Sequence, residues 1–164
     1  MGPDTIKNIA EKFSKRGVKV RAATVRDLSS MTALLGELFA IESDFTVNIR
    51  KQRQGLATLM ENDAATLLVA MSKDEIIGMC TLQPLISTAE GGTVGMVEDL
   101  VVSELWRHKG VGGALIEAIE KVAQSQGMSR LQLLNDQNNE PANQFYDKHG
   151  WSNTNMRVRR KTLK

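Results

Sequence analysis

In this 164-residue sequence an acidic–apolar run, Val97-Glu98-Asp99-Leu100-Val101-Val102, leads through a short connection into Arg107-His108-Lys109-Gly110-Val111-Gly112-Gly113. A long stretch follows with Val111, Leu115, Ile116, Ile119 and Val122 at helical spacing. A strand that enters a glycine-rich turn and opens a helix has the parts of an anion site. Glycines let backbone N–H groups approach a ligand closely. The first helical turn leaves N–H donors unpaired, and its dipole favours negative charge. Arg107 and Lys109 add counter-charge. A pyrophosphate suits that chemistry. Two familiar phosphate loops are excluded. No Lys-Ser or Lys-Thr follows the glycines, as a Walker loop requires. Leu115 stands where a dinucleotide fingerprint has its third Gly or Ala.

The run Arg107-x-x-Gly110-x-Gly112, set just after an acidic–apolar strand, resembles the acetyl-CoA motif of the GNAT superfamily of N-acetyltransferases. That pattern is Arg or Gln, two residues, Gly, one residue, then Gly or Ala. Downstream, Asn138, Asn143, Phe145-Tyr146 and Gly150-Trp151 resemble the family's segment of two asparagines, a Phe-Tyr pair and a Gly-aromatic pair. The strong match runs from Val97 to Trp151, about a third of the chain. Earlier segments follow the family's order without carrying a motif. His108 and Lys109 stand where Gly or small residues are commoner, which makes the loop more basic.

The resemblance implies acetyl-CoA as co-substrate. It implies that the backbone of Leu100, Val101 and Val102 pairs with the pantetheine arm beside a splayed sheet and polarises the thioester carbonyl. Arg107, His108, Lys109, Gly110, Val111, Gly112 and Gly113 would hold the pyrophosphate. Asn138, Asn143 and Tyr146 would meet CoA from the far side. An alkylammonium, with a pKa of about 10.4, needs a base near neutral pH. Glu98 is the candidate, directly or through a water. Asp99 is expected on the opposite face of a regular strand. Tyr146, the only tyrosine, is the candidate acid for the departing thiolate, because a phenol stays protonated at pH 7. The acceptor is expected between the first two helices and the Ser87–Thr93 loop, with Phe39, Glu42, Asp44, Phe45 and Glu98 as candidate contacts. Those acids favour a cationic amine, either a small molecule or a peptide. The competing reading is a catalytically silent acyl-CoA-binding or sensing module on the same fold. Homodimers are common among such enzymes, and no residue here singles one out.

Periodicity supplies the elements that position these residues. A helical extension is expected over residues 1–17, with Ile6, Ile9, Ala10 and Phe13 on one face. Val18–Ala23 alternates as a strand, and Thr24 and Asp27 are spaced like a capping box. A helix follows from Leu28 to Phe39, then a loop over Glu42–Val47 and a helix over Arg50–Asn62. Strands are expected over Ala65–Met71, Ile76–Ile86, bent near Pro84, and Thr93–Val102. The helix over Gly110–Gln126 ends at Gly127. A short buried strand is expected over Arg130–Leu134, a helix over Asn139–Lys148, and a final edge strand at Val158. This is a mixed α/β order, and a strand–helix–strand unit sharing one sheet must pair in parallel. The family implies a mixed, mostly antiparallel central sheet with a splayed parallel strand pair and flanking helices. Residues 18–164 are expected to be one such domain.

Composition bounds the rest. Lys plus Arg is 21 and Asp plus Glu is 19, a net charge of +2. A chain of this length buries roughly 70% of its unfolded surface. No apolar run approaches about 18 residues, so no membrane helix is expected. Met1-Gly2-Pro3-Asp4 lacks a basic head before an apolar run, so no secretory signal is expected and a cytoplasmic location is. With one cysteine and two histidines, no metal cage is expected. Cys80 reads as a small buried apolar residue, and His108 and His149 as surface residues. Between Asp74 and Trp106 there are six acids and no Lys or Arg, whereas Lys148–Lys164 carries six cations and no acid. No aromatic residues interleave with those cations, which argues against nucleic acid as the partner.

Overall fold

β1 (Lys19–Ala22) opens a sheet continued by β2 (Thr66–Ser72), β3 (Glu75–Ser87), β4 (Gly92–Val102) and β5 (Leu131–Leu133), hydrogen-bonded in that spatial order. All neighbours are antiparallel except β4 and β5, which run parallel. The parallel pair is the one joined through a helix, as crossover geometry requires. The helices are α1 (Leu28–Ile41), α2 (Ile49–Met60), α3 (Val111–Ser125) and α4 (Glu140–Lys148). This computed structural model describes residues 17–42 and 44–163. They divide into two units, one ending at Leu134 and one starting at Asn135. The expected helical extension over residues 1–17 lies outside the described residues, apart from Gly17.

In the first unit the strands alternate their side chains between two faces, except at one extra residue in β3 and one in β4. Leu67, Val69, Met79 and Val101 face one way and form a core with Met31, Leu34 and Leu35 of α1 and Leu56 of α2. Each fully buried leucine of this kind contributes about 2 kcal/mol. α3 covers the other face with Val111, Leu115, Ile116, Ile119 and Val122, all essentially inaccessible. Gly78 on β3 permits this packing. A Cβ there would lie 3.0 Å from the Val101 carbonyl oxygen and 3.2 Å and 3.4 Å from Leu115 and Val111 side-chain carbons.

The turn between β1 and α1 is held by one carboxylate. Asp27, 6% exposed, accepts from Arg21 Nη1 and Nη2 at 2.7 and 2.8 Å. It also accepts from Thr24 N and Oγ1 at 2.7 and 3.0 Å. The expected capping relation is present, with Asp in the place of Glu.

The second unit is built on α4. Asn139 caps it by accepting from Ala142 N at 3.2 Å, Pro141 lies in its first turn, and Gly150 follows its end at φ 81°. Two expectations are corrected. The strand expected at Val158 is absent, because residues 152–163 have no regular structure and Val158 is 59% exposed. A polar, cationic run gains little from burial, and it finds no strand partner among the described residues. β5 is shorter than expected and half-buried, not buried; it pairs on one side only, over three residues.

The Arg21 guanidinium holds the Asp27 carboxyl at about 2, below the usual carboxylate range, against the opposing effect of burial. A lowered folded value means the stabilisation is full above pH ~4 and fades as the pH falls toward 2. We expect Asp27→Ala to cost about 2 kcal/mol at pH 7 in urea denaturation, with the gap from wild type narrowing below pH ~4.

Candidate functional site

Two features of β4 make the site in the first unit. The first lies on its β5 side. The parallel ladder joins Gly95, Met96 and Val97 to Leu131, Gln132 and Leu133, then stops. From Glu98 to Val102, β4 has no strand partner on that side among the described residues. The second lies on its β3 side. Leu82 pairs with Val97 and Cys80 with Leu100. Leu82 and Cys80 are two residues apart and share a face; Val97 and Leu100 are three apart, so β4 carries one extra residue opposite Thr81. Glu98 and Asp99 therefore lie on the same face, the one covered by α1 and α2. The expectation that Asp99 points away from Glu98 is overturned, because it presumed a regular strand.

Thr81 pins the extra residue. Its buried hydroxyl accepts from Asp99 N at 3.1 Å and donates to Asp99 Oδ2 at 3.1 Å. Burial pushes the Asp99 carboxyl up to about 6; the Thr81 hydrogen bond opposes this, and the charges of Glu98 and Glu42 add to it. Glu98 is exposed, and Glu42 at the end of α1 is half-buried. Phe39 and Phe45, on either side of Glu42 in sequence, meet at a tilt of 43° with ring centroids 5.2 Å apart. Asp44 is exposed. Cys80, behind the bulge, is fully buried, and its thiol is pushed up by that burial and by Asp99.

Beyond Val102 the chain makes a short helical turn at Glu104–Trp106 and reaches the glycine loop. Arg107 Nε donates to the Val102 carbonyl at 3.2 Å, and Nη2 lies 4.0 Å from Glu37 of α1. Glu37 also accepts from Glu104 N at 3.0 Å. Lys109 lies over the Trp106 ring at 5.0 Å. His108 adopts φ 60° and Gly110 φ 84°, turning the chain sharply so that Gly110 caps α3. A positive φ is unusual for a non-glycine residue and marks a strained position. The N–H groups of Val111, Gly112 and Gly113 precede the first intrahelical bond, made by Ala114 N to the Gly110 carbonyl at 3.1 Å. The first unit thus joins Leu100–Val102, Arg107–Gly113, Glu98 and Glu42. It offers backbone groups to an extended ligand, then N–H donors and two cations to a polyanion. Among the described residues no group of metal-ligating side chains gathers.

In the second unit, Asn143 Oδ1 accepts from Asn135 Nδ2 at 2.7 Å, and Asn143 Nδ2 donates to the Gln137 carbonyl at 2.9 Å. This side chain braces the segment before α4. Asn138 lies in that segment, its N–H donating to Asp136 Oδ1 at 2.8 Å. Tyr146 is half-buried, with ring centroids 5.2 Å from Phe145 and 5.9 Å from Trp151. His149 Nδ1 lies 2.7 Å from the Phe145 carbonyl, closing the last turn.

Sequence reasoning missed Thr81 and Glu37 and misplaced Asp99. No residue type marks a bulge that lacks a glycine, and Glu37 sits among ordinary helix positions. The acidic pair Glu98-Asp99 was the one available signal.

Residues 31–151 match the acetyltransferase (GNAT) family. An aminoalkylphosphonate N-acetyltransferase of Salmonella typhimurium is 25% identical over 139 residues, covering 85% of this chain and 88% of its own. The uncharacterized N-acetyltransferase YhfO of Bacillus subtilis is 26% identical over 137 residues, covering 82% and 89%. An aminoglycoside acetyltransferase from an uncultured soil metagenomic sample superposes with a TM-score of 0.76 over 92% of this chain and 99% of its own, at 20% identity. At that identity the superposition establishes the fold alone.

The close approach of α3 to β3 has a measurable signature. Gly78→Ala should lower unfolding stability by about 1–3 kcal/mol. Gly55→Ala, in α2 with nothing within 4 Å of the new Cβ, should raise it by about 1 kcal/mol. Denaturant titration of both variants reads the opposite signs.

Proposed function

The chain belongs to the acetyltransferase (GNAT) family, and from that premise we propose that it moves the acetyl group of acetyl-CoA directly to a primary amine. One observation carries the reading: the open side of β4 beyond Val97 leads, through the Glu104–Trp106 turn and the glycine loop, to the N-terminus of α3. An extended pantetheine can pair with Leu100–Val102 as a strand would. Its pyrophosphate then meets the Val111, Gly112 and Gly113 N–H groups with Arg107 and Lys109 nearby. A backbone N–H of the open strand can polarise the thioester carbonyl, stabilising the oxyanion that forms on attack.

The amine arrives protonated and gives one proton to a carboxylate of the Glu98–Asp99 bulge, directly or through a water. Its lone pair forms the C–N bond, and the C–S bond breaks. The thiolate takes a proton from the Tyr146 phenol, which is restored by the second proton leaving nitrogen. The carboxylate returns its proton to solvent. Acetamide, free CoA and one proton are the products. Tyr146 has this role on its motif position after Asn143 and its phenol chemistry. The carboxylates Glu42, Glu98 and Asp99 favour a cationic acceptor, with Phe39 and Phe45 packing its apolar part. The acceptor named for the Salmonella relative, an aminoalkylphosphonate, carries an amine, which supports a small-molecule amine here. A cytoplasmic setting, where acetyl-CoA is made and used, completes the proposal.

The test is thiol release from acetyl-CoA with polyamines, aminoglycosides, aminoalkylphosphonates, amino acids and short peptides. We expect turnover concentrated in one class of cationic amine. Tyr146→Phe should lower turnover by roughly 100-fold and lower acetyl-CoA affinity, read by calorimetry, far less. Tight acetyl-CoA binding with no turnover across the panel would show a silent acyl-CoA-binding module instead.

A further inference from the structure

The bulge places two carboxylates on the acceptor face but treats them differently. Glu98 is exposed. Asp99 is half-buried, and both its backbone N–H and its Oδ2 are engaged by the buried Thr81 hydroxyl. These bonds fix the Asp99 backbone and one carboxylate oxygen, so the carboxyl is held in place before any substrate arrives. We infer that Asp99 is the carboxylate that accepts the amine proton and that Thr81, on the neighbouring strand, is its positioning residue. This rests on the acetyltransferase reading above and assigns the base within it. Glu98 then contributes charge that attracts the acceptor.

The chemistry of the pair supports that division. A base works best when its own pKa is near the working pH. Burial brings the Asp99 carboxyl up to about 6. The groups that act on it are Thr81 and Cys80 of β3, Glu98 of β4 and Glu42 from the end of α1. Of these, the Thr81 donor favours the charged form, while Glu98 and Glu42 disfavour it. Removing the hydroxyl should therefore raise the Asp99 value, and removing either acid should lower it. The transfer itself is balanced: the ammonium N–H bond breaks, an O–H bond forms on Asp99, and the neutral amine keeps the electron pair that attacks the thioester.

The experiment is the pH dependence of kcat/KM for wild type, Asp99→Asn, Glu98→Gln, Thr81→Val and Thr81→Ser with the best amine of the panel. We expect an acid limb near pH 6 in wild type. Asp99→Asn should abolish that limb and lower kcat/KM roughly 100-fold or more. Glu98→Gln should keep the limb, moved to lower pH, and raise the KM of a cationic acceptor. Thr81→Val should move the limb to higher pH without changing the KM for acetyl-CoA, and Thr81→Ser should restore it. A raised folded value means Asp99 favours folding below pH ~4 and that this contribution is lost as the pH rises through 6. Asp99→Asn should therefore melt no lower than wild type at pH 8, which separates lost chemistry from lost fold. Carbon-detected NMR titration of the wild-type Asp99 carboxyl should coincide with the kinetic limb. A limb that survives in Asp99→Asn, or disappears in Glu98→Gln, overturns the assignment. A limb unmoved in Thr81→Val overturns the positioning role. Wild-type protein that acetylates no amine overturns the acetyltransferase reading itself, an outcome distinct from these.

Discussion

β4 must serve two neighbours that demand different things of it. Toward β3 it runs antiparallel along most of its length; toward β5 it runs parallel and can remain paired for only three residues. Both ladders are regular up to Val97, and both break there. The extra residue opposite Thr81 bends and twists β4 where the β5 ladder ends. Almost everything chemical in the first unit follows from that defect. It lies where, among the described residues, β4 has no strand partner on the β5 side, and it turns two consecutive carboxylates onto one face.

The surroundings convert that geometry into an electrostatic gradient. On the α1 and α2 face, burial first and then the charges of Glu98 and Glu42 hold the Asp99 carboxyl high. A few residues later the sign reverses, with Arg107, Lys109 and the N-terminal end of α3. One continuous stretch of chain thus favours a cation at one end and a polyanion at the other. Glu37 connects the two regions, accepting from Glu104 N while facing Arg107. The Gly78 contact holds the start of α3 against the sheet, so the N–H donors of the loop are fixed by core packing.

Much of this was legible in the sequence. The order of elements followed from periodicity, most clearly in α1 and α3, each of which buries one apolar stripe. The glycine loop was legible because positive φ at Gly110 and a close approach to ligand both call for glycine. The Thr24 part of the network around Asp27 was visible as a capping spacing; the Arg21 pairing was not. The bulge was not, since Thr81, Glu98 and Asp99 are each ordinary strand residues and the register slip is a property of two strands together. The bracing role of Asn143 was equally hidden, because an asparagine that binds a ligand and one that binds a loop have the same side chain. The final strand failed for a different reason: Met156 and Val158 alternate correctly, but alternation alone does not create a partner to pair with.

The fully buried thiol of Cys80 has a practical consequence. It is paired into the centre of the sheet beside the bulge, and its pKa is driven upward by burial. Alkylating and disulfide-exchange reagents act on exposed thiolate, so the native fold should be nearly inert to them. The protein would add almost no background signal when free CoA is counted with a thiol dye. The same shielding makes Cys80 a built-in clock. Cys80 shares the face of Gly78, which α3 covers, so the rate of labelling reports how often the α3 layer lifts from β3 and lets water in.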